Sequence, residues 1–557
     1  MVTFDEDKSR LKIAEIKEQE EEGLLREMAD NLGLPFTTVL SNAIEIDALN
    51  FVKEEEARKI QCIPFKLDGK VISIAARWPE NEEFLKIVER IKAMGYSVEI
   101  SVTSEKILER AFEAYKNLSL SIASKAGTVD ITAEALNEYV TKVTSVADIQ
   151  KILAENKEKK FINTSHTLEI ILAGAISTKA SDIHLEAGEQ DARLRYRLDG
   201  MLYDIFSFDH KTFHSILSRI KLLSGLKLNI KSEAQDGRFA IAIGDGAIEI
   251  RTSIVPGGFG ESSVLRILNP KSISVPLEDL GFNKKLLGII SDLISRPQGM
   301  ILTTGPTGSG KTTTLYACLK KVYEPSLKIL TIEDPIEYRL GGIVQTQVDE
   351  KKGYGFMLGL RSALRQDPDI IMVGEIRDEE TARTAIDAAL TGHLVFSTLH
   401  TNNAAGAFTR LIDLKVNPKV ITSALSASLA QRLIRKLCPN CRKEVTLEGK
   451  DKESIEKIVA GMPYKDEITN TTKMWVPAGC EKCSGIGYKG RIGVYEAILS
   501  SGEIEKVVEA NPSEREIQKV ARAQGIYNMA EDGVAKVLQG ITSLDELKRV
   551  VDIENTN

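Results

Sequence analysis

A chain of 557 residues is too long for one hydrophobic core, so length alone predicts roughly three or four domains. Its 43% hydrophobic and 27% charged content is that of an ordinary globular protein. The net charge of −7 argues against a protein built mainly to coat nucleic acid, without excluding a locally basic face.

No apolar run of about 18 residues or more occurs, so no transmembrane segment is expected. Met1–Asp7 lacks the basic and then apolar pattern of a secretory signal, which leads to the expectation of a cytoplasmic protein.

Residues 1–117 open with a charge-rich stretch (Lys17, Glu18, Glu20, Glu21, Glu22) that reads as a solvated helix face. Val71–Ala75 then reads as a strand, Asn81–Ala93 as an amphipathic helix, Tyr96–Val102 as a strand and Ser104–Asn117 as a helix. A small α/β domain without a catalytic constellation follows from that order. Residues 118–160, rich in Ser, Ala, Lys and Glu, read as a linker with some helix.

A second α/β domain is predicted over 161–268. Its helix is Ser165–Lys179, and its strands lie around Asp182–Leu185, Ala192–Leu198, Phe239–Ile243 and Ile248–Val255. Pro270 and Pro276 bracket a hinge at 269–278, and a nucleotide domain runs over 279–557.

That domain carries Gly305-Pro306-Thr307-Gly308-Ser309-Gly310-Lys311-Thr312, a G-x-x-x-x-G-K-[ST] loop that wraps a nucleoside triphosphate, followed by Thr313. Met300–Leu302 reads as the strand entering the loop and Thr312–Val322 as the helix leaving it. The glycines let the backbone approach phosphates, and the helix N-terminus offers N–H donors to them. Lys311 is expected at the β- and γ-phosphates, and the Thr312 hydroxyl on Mg²⁺.

Two apolar strands end in carboxylates, Leu330-Thr331-Ile332-Glu333 and Asp369-Ile370-Ile371-Met372-Val373-Gly374-Glu375. Groups at the carboxyl ends of parallel strands face the ligand, which puts Glu333 and Glu375 near the phosphates. A carboxylate can orient the attacking water or organise Mg²⁺. His400 follows a further short apolar strand and is expected near the γ-phosphate. His393 precedes that strand and reads as a packing residue.

Cys62 and Cys318 stand alone in apolar surroundings and read as buried small hydrophobes. Cys438, Cys441, Cys480 and Cys483 form two C-x2-C pairs separated by 38 residues. Two such knuckles make an S₄ site suited to Zn²⁺, and the long spacer predicts an inserted subdomain at 436–490. A redox pair or two disulfides are the alternatives, and a cytoplasmic setting disfavours stable disulfides. With four thiolates the zinc would be structural.

Together, the phosphate loop, Thr331–Glu337, Asp367–Asp378 and the Thr391–Thr401 segment resemble the secretion ATPase superfamily of type II secretion and type IV pilus motors. The tetracysteine insert, Leu32-Gly33-Leu34-Pro35 and Gln61–Phe65 resemble its assembly and secretion subgroup.

The resemblance implies a multidomain α/β chain: a RecA-like P-loop ATPase domain with a zinc-binding insert, preceded by two smaller α/β domains. The first would dock an adaptor and the second would be PAS-like. It implies ATP, Mg²⁺ and structural Zn²⁺ as cofactors. Glu333 would polarise the attacking water, and Glu375 would be the second carboxylate, near Mg²⁺ and the γ-phosphate. The Asp usual before that glutamate is replaced by Gly374. Arg251 and Arg266 match arginines that reach the nucleotide from the preceding domain; the alternative is ordinary ion pairing on a strand surface. Arg361, Arg365 and Arg377 are weaker candidates for phosphate or subunit contacts.

The implied protein is a cytoplasmic homohexamer, peripheral at the inner face of the cytoplasmic membrane. It would act on an inner-membrane platform protein, with a cytoplasmic adaptor, to power pilin assembly in a type IV pilus. A type II secretion motor is the alternative, and a DNA-uptake or nucleic-acid motor a more distant one. A strand-tracking channel needs basic residues interleaved with aromatics, and aromatics are only 6% of this chain. An ATP-gated scaffold is disfavoured by the presence of Lys311, Glu333 and Glu375.

Overall fold

A computed structural model of the chain describes residues 22–37, 44, 46–49, 51–68, 71–122, 128–129, 143, 145–157, 164–243, 246–269, 275–468, 470–510 and 512–553. The charged stretch Lys17–Glu21, parts of the expected linker and Pro270 lie outside these residues. The chain divides into two compact units, 1–130 and 131–557.

In the first unit the strands Cys62–Asp68, Val71–Ala76 and Ser97–Val102 form one sheet, the first pair antiparallel and the second parallel. The crossover is the helix Glu82–Ala93, which starts where the Asn81 side chain accepts the Glu83 N–H at 2.8 Å. It buries Phe84, Ile87, Val88 and Ile91 at the helical spacing expected of an amphipathic segment. The helix expected to end at Asn117 continues to Ile122.

The second unit begins with two sheet-covering helices, Val146–Lys157 and Thr164–Ser177. Six strands pair in the order Gln235–Ile243, Gly246–Gly257, Gly260–Leu268, Asp182–Ala187, Ala192–Leu198 and Met201–Phe208, each antiparallel to its neighbour. The helix His210–Leu223 is capped by Asp209, whose carboxylate accepts the Thr212 N–H at 2.9 Å.

The larger sheet has the order Val344–Gln347, Ile329–Glu333, Ile370–Val373, Leu394–Leu399, Gly299–Thr304, Leu425–Leu437 and Tyr488–Leu499. All neighbours are parallel except the last pair. Every residue of the strands 299–304, 329–333, 370–373 and 394–399 is buried. They are mostly apolar, with Thr303, Thr304, Thr331, Glu333, Ser397 and Thr398 as buried exceptions, because the sheet is covered on both faces. Leu302, Ile332, Ile371 and Val395 fill one layer; Ile301, Ile329, Met372 and Phe396 fill the other. Burying one such side chain is worth about 1.5–3 kcal/mol.

Within 436–490, where the sequence predicts an insert, lie a two-stranded sheet (Lys443–Thr446, Lys473–Val476) and the helix Gly449–Gly461. The parts of this unit built around the smaller and the larger sheet touch through several polar contacts, three of them near the cysteine pairs. The Gly490 N–H donates to Asp199 at 2.8 Å, Arg435 donates to the Tyr203 hydroxyl at 3.3 Å, and the Val146 N–H donates to the Ser484 hydroxyl at 3.3 Å. Among the described residues no helix is long and apolar enough to cross a membrane.

Candidate active site and metal centre

The strand Gly299–Thr304 ends in the phosphate loop, and the helix Lys311–Val322 leaves it. Gly305, Gly308 and Gly310 have φ of 147°, 79° and 91°, which L side chains rarely adopt. The loop is also closely backed. A Cβ on Gly305 would lie 2.6 Å from the Gln431 carbonyl oxygen and 2.7 Å from Ser309 Oγ; a Cβ on Gly310 would lie 3.1 Å from Gln431 Nε2. Gly308 faces open space, and Pro306 and Thr307 are exposed at the rim. Ser309 Oγ is buried with no hydrogen-bond partner among the described residues. A glycine cradle, a spare hydroxyl and a helix N-terminus fit a phosphate chain.

Lys311 Nζ donates to the carbonyls of Gly305 at 2.8 Å and Pro306 at 3.2 Å. Burial pushes its pKa down, against the nearby Glu375 charge. Thr312 and Thr313 follow in the first helical turn, both half-buried.

Glu375 lies just past the strand Ile370–Val373 and is gripped from two sides. His400 Nε2 is 3.2 Å from one carboxylate oxygen, and Arg377 Nη2 is 2.9 Å from the other. Gly374 precedes it where space is short: a Cβ there would lie 3.1 Å from the Ile332 carbonyl oxygen. His393 Nδ1 lies 3.0 Å from the Ala388 carbonyl oxygen, as expected of a packing residue.

Glu333 ends its strand as expected but is only 3% exposed. Its carboxylate accepts from the Tyr316 hydroxyl, from Thr331 Oγ1 at 2.5 Å and from Gln345 Nε2 at 3.0 Å. Burial raises its pKa, outweighing those three donors. The two strand-end glutamates therefore differ: Glu375 stands beside Lys311 and His400, whereas Glu333 is enclosed by side chains of its own domain.

The smaller sheet contributes a row of arginines. Arg238 pairs with Arg251 and Arg251 with Arg266 across adjacent strands, so all three share one face. Arg251 Nη2 donates to the Ile336 carbonyl at 2.8 Å, and its Nη1 lies 3.8 Å from Glu337. Arg266 instead pairs with Asp182 at 3.0 Å and is 63% exposed. Arg365 donates to Ser362 at 3.1 Å, within its own helix end.

The sequence alone does not single out Arg238, Tyr316, Gln431 or Arg432. Arg238 was accessible through strand register with Arg251. Gln431 and Arg432 lie far from the phosphate loop in sequence, and Tyr316, in the helix that leaves the loop, reaches Glu333 only in the folded sheet.

The four paired cysteines come together with Sγ–Sγ distances of 3.9 Å (Cys438–Cys480), 3.8 Å (Cys441–Cys483) and 3.7 Å (Cys480–Cys483). A tetrahedron with metal–sulfur bonds of about 2.3 Å has edges of about 3.8 Å. Burial opposes ionisation of Cys483. The N–H groups of Cys480 and Gly487, each 3.2 Å from its sulfur, nevertheless bring its pKa down to about 7. The four cysteines can thus hold a metal ion. Cys62 and Cys318 are buried, and burial raises both thiols to about 12.

Sheet order, phosphate loop and strand-end acids define a P-loop ATPase. A family model described as "Type II/IV secretion system protein" matches residues 155–549, and one described as "MshEN domain" matches 32–122. The type IV pilus assembly ATPase PilB of Myxococcus xanthus is 36% identical over 535 residues, covering 95% of this chain and 91% of that protein. Type II secretion system protein E of Aeromonas hydrophila is 44% identical over 383 residues, covering 69% and 74%. The X-ray structure of the Legionella pneumophila ATPase DotB shares the fold, with a TM-score of 0.51 at 23% identity over 70% of this chain and 96% of that one. The chain belongs to the type II/IV secretion system protein family.

Proposed function

We propose that the chain works as a cytoplasmic homohexameric motor at the inner face of the membrane and hydrolyses ATP to power pilin assembly in a type IV pilus. The observation that carries this reading is the gathering of the phosphate loop, Glu375 and His400 at one sheet edge, with Arg251 of the preceding sheet reaching the acidic segment beside it. A hydrolytic site that touches a second domain can turn phosphate release into domain motion.

In this reading the loop N–H groups and Lys311 hold the phosphates. Thr312 and Glu375 hold Mg²⁺, which spreads the phosphate charge when bound. Glu375 also orients the attacking water; its partial exposure and its contact with His400 support that role. Glu333, enclosed by Tyr316, Thr331 and Gln345, steadies the strand end behind it. Arg251 and Arg266 supply charge when the domains close. The tetracysteine site holds a structural zinc. An inner-membrane platform protein receives the force, and the N-terminal unit docks an adaptor.

Relatives named for pilus assembly span 94–95% of the chain, slightly more than the 90% spanned by a type II secretion ATPase, and this supports the pilus reading. The more identical but shorter match to a type II secretion protein favours that system as the second reading. Steady-state hydrolysis measured against protein concentration, with and without single- and double-stranded DNA, tests the motor class. A rate per chain that rises with concentration and ignores DNA is expected. Strong stimulation by DNA would promote a nucleic-acid motor instead.

A further inference from the structure

The strand Leu425–Leu437 runs parallel to the phosphate-loop strand, with Ala430 opposite Thr304. Gln431 and Arg432 are therefore the next two residues along this strand, beside the point where the phosphate-loop strand gives way to Gly305. Gln431 is 1% exposed and donates from Nε2 to the Ser309 carbonyl at 2.7 Å, so it braces the loop itself. Arg432 does something different. Its Nη1 donates to the Gln431 carbonyl at 3.0 Å and its Nη2 to the Asn402 carbonyl at 2.8 Å. The same guanidinium thus spans two neighbouring segments, the loop brace and the turn that follows His400.

That turn is tied down elsewhere too. The Thr401 N–H donates to Thr304 Oγ1 at 2.8 Å, the Ala404 N–H to Glu496 at 2.7 Å, and the Asn403 side chain to Glu514 at 2.7 Å. Of these anchors, Arg432 and Thr304 join the turn to the phosphate-loop side of the site. A half-buried guanidinium whose donors go to main-chain carbonyls carries a desolvation cost, which a purely packing residue would avoid.

We propose that Arg432 is a positioning residue that locks the His400 turn to the phosphate loop, holding His400 and Glu375 in register with the terminal phosphate of bound ATP. The inference rests on the ATP-hydrolysing reading above. A planar fork fixes two acceptors at a set angle, and a lysine ammonium cannot reproduce it. Its loss leaves the loop N–H groups, Lys311 and the Gln431 Nε2–Ser309 bond in place, so binding persists while chemistry suffers. A misplacement of about 1 Å is enough to cost about 100-fold in turnover.

The test uses the full chain and two readouts: steady-state ATP hydrolysis, and equilibrium binding of a fluorescent, slowly hydrolysed ATP analogue. Arg432→Ala is expected to lower kcat about 100-fold with Kd within about threefold of wild type. Arg432→Lys should recover little of that loss. Guanidinium added at a non-denaturing concentration should partly restore Arg432→Ala and leave the wild type unchanged. Wild-type turnover in Arg432→Ala, or kcat and Kd worsening in step with a lowered Tm and no guanidinium rescue, overturns the role of Arg432 alone. A wild-type chain that binds the analogue but hydrolyses no ATP overturns the enzymatic reading and this inference with it.

Discussion

Arg251 Nη2 donates a 2.8 Å hydrogen bond to the Ile336 carbonyl oxygen, joining the smaller sheet to the segment that leaves the Glu333 strand. Its neighbour in the row, Arg266, spends its donor on Asp182 within the same sheet. The two arginines should therefore respond differently. Arg251→Ala is expected to lower kcat at least about tenfold, and Arg251→Lys to recover little, because lysine lacks the fork. Arg266→Ala takes one partner from the buried Asp182 carboxylate, which keeps Arg197 at 3.4 Å and the Ser181 hydroxyl at 2.8 Å, so its Tm should stay near wild type. Steady-state rates and thermal melts of the variants decide this. An Arg251→Ala chain with wild-type turnover would remove the link from the mechanism.

Glu375 and Glu333 offer a second separation. Glu375→Gln keeps the loop, Lys311 and Thr312 but loses the group beside His400 that can orient water. Its kcat should fall about 1,000-fold with ATP binding retained. Glu333→Gln should cost less turnover, because the Glu333 carboxylate is already occupied by three donors. Rapid-quench hydrolysis together with nucleotide binding tests both. The reverse order of losses would hand the water-orienting role to Glu333.

The same burial gives Glu333 a pH signature. Its folded pKa is raised above the ordinary value of 4.5, with desolvation as the largest cause. A raised carboxyl contributes stability that is complete below its unfolded pKa and is lost as pH rises through the folded value. Glu333→Gln removes that loss. The Tm of the variant, relative to wild type, should therefore rise as pH goes from acid to neutral. Melting curves across that range check the sign, and a flat difference contradicts it.

The phosphate loop and the cysteine pairs were legible because each is local: spacing alone specifies a turn or a knuckle. The central strands were legible as short, mostly apolar runs. Gly260–Leu268 was not read as a strand, because its inward positions include Glu261 and Ser263. Glu261 is tolerated there through a 2.6 Å pair with the buried Lys221, which no local pattern announces. Met201–Phe208 escaped for the opposite reason: only Ile205 and Phe208 are buried, so little alternation shows. Arg432 escaped because its partners are Gln431 and Asn402, one adjacent and one across the sheet, and the contact exists only once strands 299–304, 394–399 and 425–437 are aligned. Glu333 was placed correctly at its strand end, but the enclosure by Tyr316 and Gln345 depends on tertiary packing.

The tetracysteine site should matter beyond its own knuckle. Ser484, next to Cys483, accepts the Val146 N–H, and Gly490 and Arg435 on the flanking strands contact Asp199 and Tyr203. A metal that fixes the knuckle therefore also fixes the surface on which the smaller sheet rests. Freshly purified, reduced protein should contain about one zinc per chain. Stripping it with a chelator, or substituting Cys480→Ser, should lower Tm by at least about 5 °C. It should also speed protease cleavage between residues 146 and 164, where the supporting contact with Ser484 is lost. Because the knuckle does not contribute a group to the phosphate loop, ATP affinity should change by less than about threefold while the cleavage rate rises. Elemental analysis, limited proteolysis and nucleotide binding on the same samples separate the two effects. A metal-free chain with unchanged cleavage would show that the seam holds without the knuckle, and a matching loss of ATP affinity would show that the knuckle supports the whole nucleotide domain instead.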